Sequence, residues 1–201
     1  MDGSDPLGGG SVTAMGTTLP LRAWTAAEYH QMVDAGVLAE DDRVELIEGA
    51  IVDMTPVGAR HAASVKALAR TLQHQVGDRL VVSVQDPVRL SPSSEPQPDL
   101  ALLVWRDDLY RDELPGPADV LLVIEVADSS VVTDREVRIP LYGRAGVAES
   151  WLVDLVAGTV EIYRDPSPTG YRERSVHHDG DAVSPEGLGG LVVRVGEALV
   201  S

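Results

Sequence analysis

Residues 120–126 read VLLVIEV. The run is short, rich in β-branched residues and apolar at both alternating positions, which suits a strand covered on both faces. Such a strand needs one layer above it and another below, so the chain is constrained towards an α/β architecture. Glu125 stands inside that run. An ionised carboxylate there loses its hydration with nothing to replace it. Three arrangements would resolve the conflict. The strand ends near Glu125, or an arginine pairs with it, or the acid binds a metal or does chemistry.

A second acid has the same placing. EPQPDLALLV puts Asp99 after Pro98, at the head of an apolar strand predicted over 99–104. Proline cannot donate into a ladder, so this is a strand start or a bulge. Alone, Asp99 reads as a turn residue. If the two strands are neighbours, Asp99 and Glu125 face one cavity, where mutual repulsion would drive one of them to take a proton. Mg²⁺ or Mn²⁺, which prefer oxygen ligands, would remove that conflict. Glu45, in RVELIEG, is a third acid with apolar neighbours, open to reading as a solvated edge residue or as part of the site. His61 opens a helix on its apolar stripe, either as a core or capping residue or as a site residue.

The order of elements follows from periodicity and punctuation. Residues 1–20 are Gly/Ser/Thr-rich without periodicity and are expected as a disordered tail, with 21–201 as a single domain. Thr25 and Glu28 have capping-box spacing and start a helix that runs to about Asp34. Two strands flank a Glu48-Gly49 turn within 43–54. A helix spans 60–76 and stops at Gly77. Strands are predicted at 79–85, 99–104 and 120–126. Residues 134–144 have helical character, with Pro140 either kinking the helix or opening it. A hairpin covers 150–155 and 159–164, and further strands fall at 171–177 and 191–195. This is a mixed β-sheet with flanking helices.

The net charge of −16 counts against tight nonspecific nucleic-acid binding through a basic surface, though not against nucleic acid as a substrate. The absence of cysteine excludes disulfides and a thiolate metal site. No apolar run reaches membrane-span length and no signal pattern opens the chain, so a cytoplasmic protein is the default. Of the sixteen basic residues only Lys66 is a lysine. No phosphate-binding glycine loop and no nucleophile elbow is present, which leaves hydride transfer and P-loop chemistry without support.

The segments RVELIEGAIVDMTPVGARH, QPDLAL, LVIEVADSS, DREVRIPLYGRAGVAESWLVD and VEIYR occur in an order and spacing that resembles the Uma-type restriction endonuclease family, a branch of the PD-(D/E)XK nuclease superfamily. The likeness covers roughly residues 24–165. It implies a restriction-endonuclease-like fold and metal-dependent hydrolysis of nucleic acid, DNA in the first instance. Asp99 is then the acid of the PD half-motif, Glu125 the acid of the second half, and Glu45 the acid of the N-terminal core. Asp99, Glu125, the backbone carbonyl of Val126 and Glu45 would hold Mg²⁺ or Mn²⁺, with His61 positioning water or the leaving group. In this branch the catalytic lysine sits on the following helix in a DRxxKxxxY context, which here reads Asp134, Arg135, Arg138 and Tyr142. Arg138 takes the lysine position. Arginine stays charged in essentially any site, so it would stabilise phosphate charge rather than act as a base.

Two other readings remain open. One is a catalytically inactive interaction module on the nuclease fold. The other is a structural role for Glu125 in an ion pair with Arg135 or Arg138. The apolar strands near 150–164, read as sheet edges, would also pair between copies and make a homodimer.

Overall fold

The computed structural model describes residues 11–14, 17–39 and 41–200. The rest of the expected tail, residues 1–10, 15 and 16, lies outside the described residues. Two compact units are present, Met1–Thr55 with Arg89–Pro96, and Pro56–Val88 with Gln97–Ser201.

In the first unit, β1 (Ser11–Ala14) pairs antiparallel with β2 (Thr17–Pro20). Helix α1 (Ala26–Asp34) opens on the predicted capping box: Thr25 accepts from the Glu28 N–H, and Glu28 accepts from the Thr25 N–H. Strands β3 (Val44–Ile47) and β4 (Ala50–Asp53) form the predicted hairpin. Gly49 has φ +80, and a Cβ there would lie 2.6 Å from that of Ala23, so the turn requires glycine. Glu95 is buried against this hairpin, donating its N–H to the Leu46 carbonyl at 2.7 Å. Its carboxylate pairs with Arg89 and His30.

The second unit is built around one six-stranded sheet. Helix α2 (Ala59–Val76) buries Val65, Leu68, Leu72 and Val76, the stripe its sequence spacing predicts. Strands β5 (Leu80–Val84), β6 (Leu100–Val104) and β7 (Val120–Ala127) follow. The chain then turns through a short helix α3 (Val131–Thr133), a π-helical turn at Asp134–Arg138 and helix α4 (Ile139–Ala145). Strands β8 (Glu149–Asp154), β9 (Thr159–Ser167) and β10 (Gly170–His178) complete the sheet. The short strands β11 (Ala182–Val183) and β12 (Val193–Arg194) pair, and helix α5 (Val195–Leu199) follows. The strand predicted at 191–195 is thus only two residues long.

Sheet order is β10-β9-β8-β7-β6-β5. β7 and β8 are parallel, joined by the helical crossover, and the other pairs are antiparallel. The result is a mixed sheet flanked by helices, the restriction-endonuclease-like fold expected. One face packs Leu100, Leu122, Ile124 and Trp151 against α2, and the other packs Ala127, Leu152 and Tyr163 against Ile139. The buried, two-faced strand inferred from VLLVIEV is therefore β7, which runs one residue further, to Ala127.

One expectation needs correction. The strands near 150–164 are not edges: β8 lies between β7 and β9, and β9 lies between β8 and β10. Pairing on both sides satisfies their backbone groups inside the sheet, so they offer no template to a second copy. Pro140 stands in the first turn of α4, directly after Ile139, close to the expected helix opening at Pro140. The π-helical turn before it re-routes the hydrogen bonding, with the Ile139 N–H reaching the Asp134 carbonyl five residues back.

Candidate active site

The register of the sheet brings the two acids together. Leu100 on β6 faces Ile124 on β7. In an antiparallel pair the residue before Leu100 then lies opposite the residue after Ile124, which sets Asp99 beside Glu125. The Asp99 N–H lies 3.4 Å from Glu125 Oε2. Asp99 Oδ2 accepts from the Val126 N–H at 2.9 Å, so the strand that presents Glu125 also holds Asp99.

His61, on the first turn of α2, reaches the same atom, with Nε2 2.9 Å from Asp99 Oδ2. Its Nδ1 is buried without a hydrogen-bond partner. The hydrogen bond to Asp99 raises the His61 pKa, burial opposes the rise, and the charges of Asp99, Asp134 and Asp128 add to it.

The crossover helix supplies the other wall. Glu125 shares its face of β7 with Ala127, the face that α4 covers. Tyr142, fully buried, donates its hydroxyl to Glu125 Oε1 at 2.6 Å. Arg138 Nη1 lies 3.4 Å from the same oxygen, and Arg138 Nε lies 3.3 Å from Asp134 Oδ1. Asp134, itself buried, accepts from Ser130 Oγ at 2.5 Å. Spacing of four residues puts Asp134, Arg138 and Tyr142 along one side of the helical crossover.

The charges do not balance comfortably. Burial pushes the Glu125 carboxyl up to about 8; Arg138 opposes the shift, Asp99 and Asp134 add to it, and the Tyr142 hydroxyl opposes it. The two acids stand on adjacent strands as the sequence suggested, but burial of Glu125, more than repulsion between them, is the chief cause of the shift.

Those properties bear on a divalent metal. Among the described residues no group of three or more His, Asp and Glu side chains forms a metal cage. A hard cation such as Mg²⁺ commonly takes only one or two carboxylates, completing its shell with water and substrate phosphate. Asp99 and Glu125 supply such a pair, and a bound cation would favour the ionised form of Glu125 against its burial. The donor set fits.

Of the residues singled out from the sequence, Asp99, Glu125, His61 and Arg138 converge. Val126 takes part through its N–H to Asp99. Glu45 belongs to the first unit, buried on β3 opposite Val52, where its charge helps to raise the Tyr29 pKa behind burial and Glu95. Arg135 turns away from Glu125 to pair with Glu161 and Asp154. Sequence reasoning assigned no role to Tyr142, which it noted only as a motif position, and overlooked Gln85, whose Nε2 donates to Asp99 Oδ1 at 3.2 Å. Nothing in the local pattern around Gln85 signals this contact.

A family model for Uma2, described as "Putative restriction endonuclease", matches residues 26–196. The chain belongs to the Uma2 family. The match to Uma2 spans both acids and the whole crossover helix. A crystal structure of a putative nuclease belonging to DUF820, from Anabaena variabilis ATCC 29413, is similar over 88% of this chain and 97% of that one. The two are 19% identical with a TM-score of 0.65, a likeness of fold. A search of curated proteins finds no match. No helix among the described residues is long and apolar enough to cross a membrane.

Proposed function

We propose that this Uma2 protein is a metal-dependent nuclease that hydrolyses phosphodiester bonds, with DNA as the substrate suggested by the family's description. The observation that carries the reading is the pairing of Asp99 and Glu125 on adjacent strands, tied together through the Val126 N–H. Asp99 and Glu125 would hold Mg²⁺ or Mn²⁺, with the Val126 carbonyl as a further oxygen donor. Once bound, the cation supplies positive charge that acidifies water and offsets phosphate charge.

The remaining work belongs to side chains of the second unit. Arg138 stays protonated and neutralises charge that builds on the phosphate. Asp134 holds that guanidinium beside Glu125. His61, donating from Nε2, orients Asp99, and Tyr142 orients Glu125. No lysine takes part: Lys66, the single lysine, is exposed on α2.

Plasmid cleavage in Mn²⁺ or Mg²⁺, with and without chelator, tests the reading. Asp99→Asn and Glu125→Gln should each lower the rate on the order of 10³-fold, comparable with removing a strong electrostatic contact from the transition state. Full activity in Glu125→Gln would sink the assignment.

A second reading has one observation in its favour. Arg138 stands at the family's lysine position, which suits an inactive interaction module on the same fold. Arg138→Lys separates the two. Cleavage that appears only with lysine marks an impaired enzyme, and silence in both proteins marks the module.

A further inference from the structure

Gln85 belongs to none of the motifs that define the site, yet it touches Asp99 twice. Its backbone N–H donates to the Asp99 carbonyl at 3.2 Å. Its side-chain Nε2 donates to Asp99 Oδ1, also at 3.2 Å. A carboxylate oxygen can only accept, so the amide nitrogen is the end that faces it. With the Val126 N–H and His61 on Oδ2, both oxygens of Asp99 are held by donors.

The backbone at this contact is strained. Gln85 follows the end of β5 at Val84 and has φ +56, the left-handed region disfavoured for residues with a Cβ. Glycine would make the same turn without steric cost. The turn alone therefore gives no reason for a long amide side chain at this place. Strained residues concentrate where a side chain must be delivered to a functional position. Here the left-handed turn delivers an amide to the Asp99 carboxylate.

We propose that Gln85 is a positioning residue for Asp99, fixing its carboxylate for a divalent cation by a hydrogen bond to Oδ1. This rests on the metal-dependent reading above. Gln85 acts through Asp99, as the outer partners of metal-ligating groups do when they hold a ligand in orientation.

The test is calorimetric titration of Mn²⁺ into the whole chain, beside melting temperatures, for wild type, Gln85→Gly and Gln85→Asn. Glycine relieves the backbone and removes the amide. Asparagine tolerates the left-handed backbone but carries its amide one methylene short of Asp99. Both variants should fold, melting no more than about 4 °C below wild type. Both should bind Mn²⁺ about 10–100-fold more weakly. On a cleavable DNA, kcat should fall while KM stays within about twofold, as expected of a residue that acts through Asp99 and not on the substrate. Mn²⁺ affinity within twofold of wild type in both variants overturns the proposal and leaves the nuclease reading standing. A wild-type protein that takes up no Mn²⁺ overturns the metal reading and this proposal together.

Discussion

The Tyr142 hydroxyl donates to Glu125 Oε1 at 2.6 Å, joining the centre of β7 to the helix that returns the chain to β8. The bond favours the ionised carboxylate, against a burial that pushes its pKa to about 8. Tyr142→Phe keeps the packing and removes the donor. Glu125 should then titrate higher still, so Mn²⁺ affinity measured against pH should move its rising limb to higher pH. A hydrogen bond to a charged group is worth about 1.5–3 kcal/mol, so affinity at pH 7 should fall about 10-fold or more. An unchanged pH profile would remove Tyr142 from the site.

Glu125 should lower the stability of the metal-free protein. Its carboxyl is raised from 4.5 to about 8 in the fold. Between those values the folded chain holds a proton that the unfolded chain has released, so stability falls as pH rises through the window. Below pH 4.5 both states are protonated and the cost vanishes. Glu125→Gln does not titrate. In chelator it should match wild type near pH 4.5 and exceed it at pH 8, by more than about 1 kcal/mol. Chemical denaturation at both pH values measures this. A structural ion pair with Arg138 predicts the reverse, a loss of about 3–5 kcal/mol in the mutant.

Gly143 is where α4 meets the β9–β10 turn. A Cβ there would lie 2.5 Å from the Gly170 carbonyl carbon and 2.7 Å from its oxygen. Both are backbone atoms, so neither swings aside. Gly143→Ala should destabilise by about 2–3 kcal/mol through overpacking, seen as a fall of several degrees in Tm. Tyr142 is the adjacent residue, so displacing α4 should also weaken Mn²⁺ binding. A variant as stable as wild type would show that the close approach is not obligatory.

The acid limb of stability should depend on a carboxylate outside the site. Burial would raise the Glu161 pKa, but hydrogen bonds from Arg135, Tyr163 and Arg174 outweigh it and hold the group at about 2. A depressed pKa contributes stability that is complete above 4.5 and is lost as pH falls towards 2. Arg135 and Arg174 are partly solvated, so the contribution is screened to on the order of 1–2 kcal/mol. Glu161→Gln should flatten the melting profile between pH 5 and 2 and leave Mn²⁺ affinity unchanged. A wild-type acid limb retained in the mutant would contradict this.

Local patterns account for much of what the sequence determined. The capping box at Thr25 and Glu28, the stripe along α2 and the two-faced run of β7 each depend on residues a few positions apart. Physical chemistry at that range is legible without coordinates. The oddity of Glu125 was legible too, because an acid inside an apolar strand is costly wherever that strand is placed. Tertiary structure alone decided the neighbours. It placed Asp99 beside Glu125 by register, put β8 and β9 inside the sheet instead of at its edge, and fitted Pro140 with a π-helical turn. It also brought Gln85 and Tyr142 onto the two acids, 14 and 17 residues away along the chain. Such contacts depend on register and crossover, which the whole sheet sets cooperatively and no local window encodes.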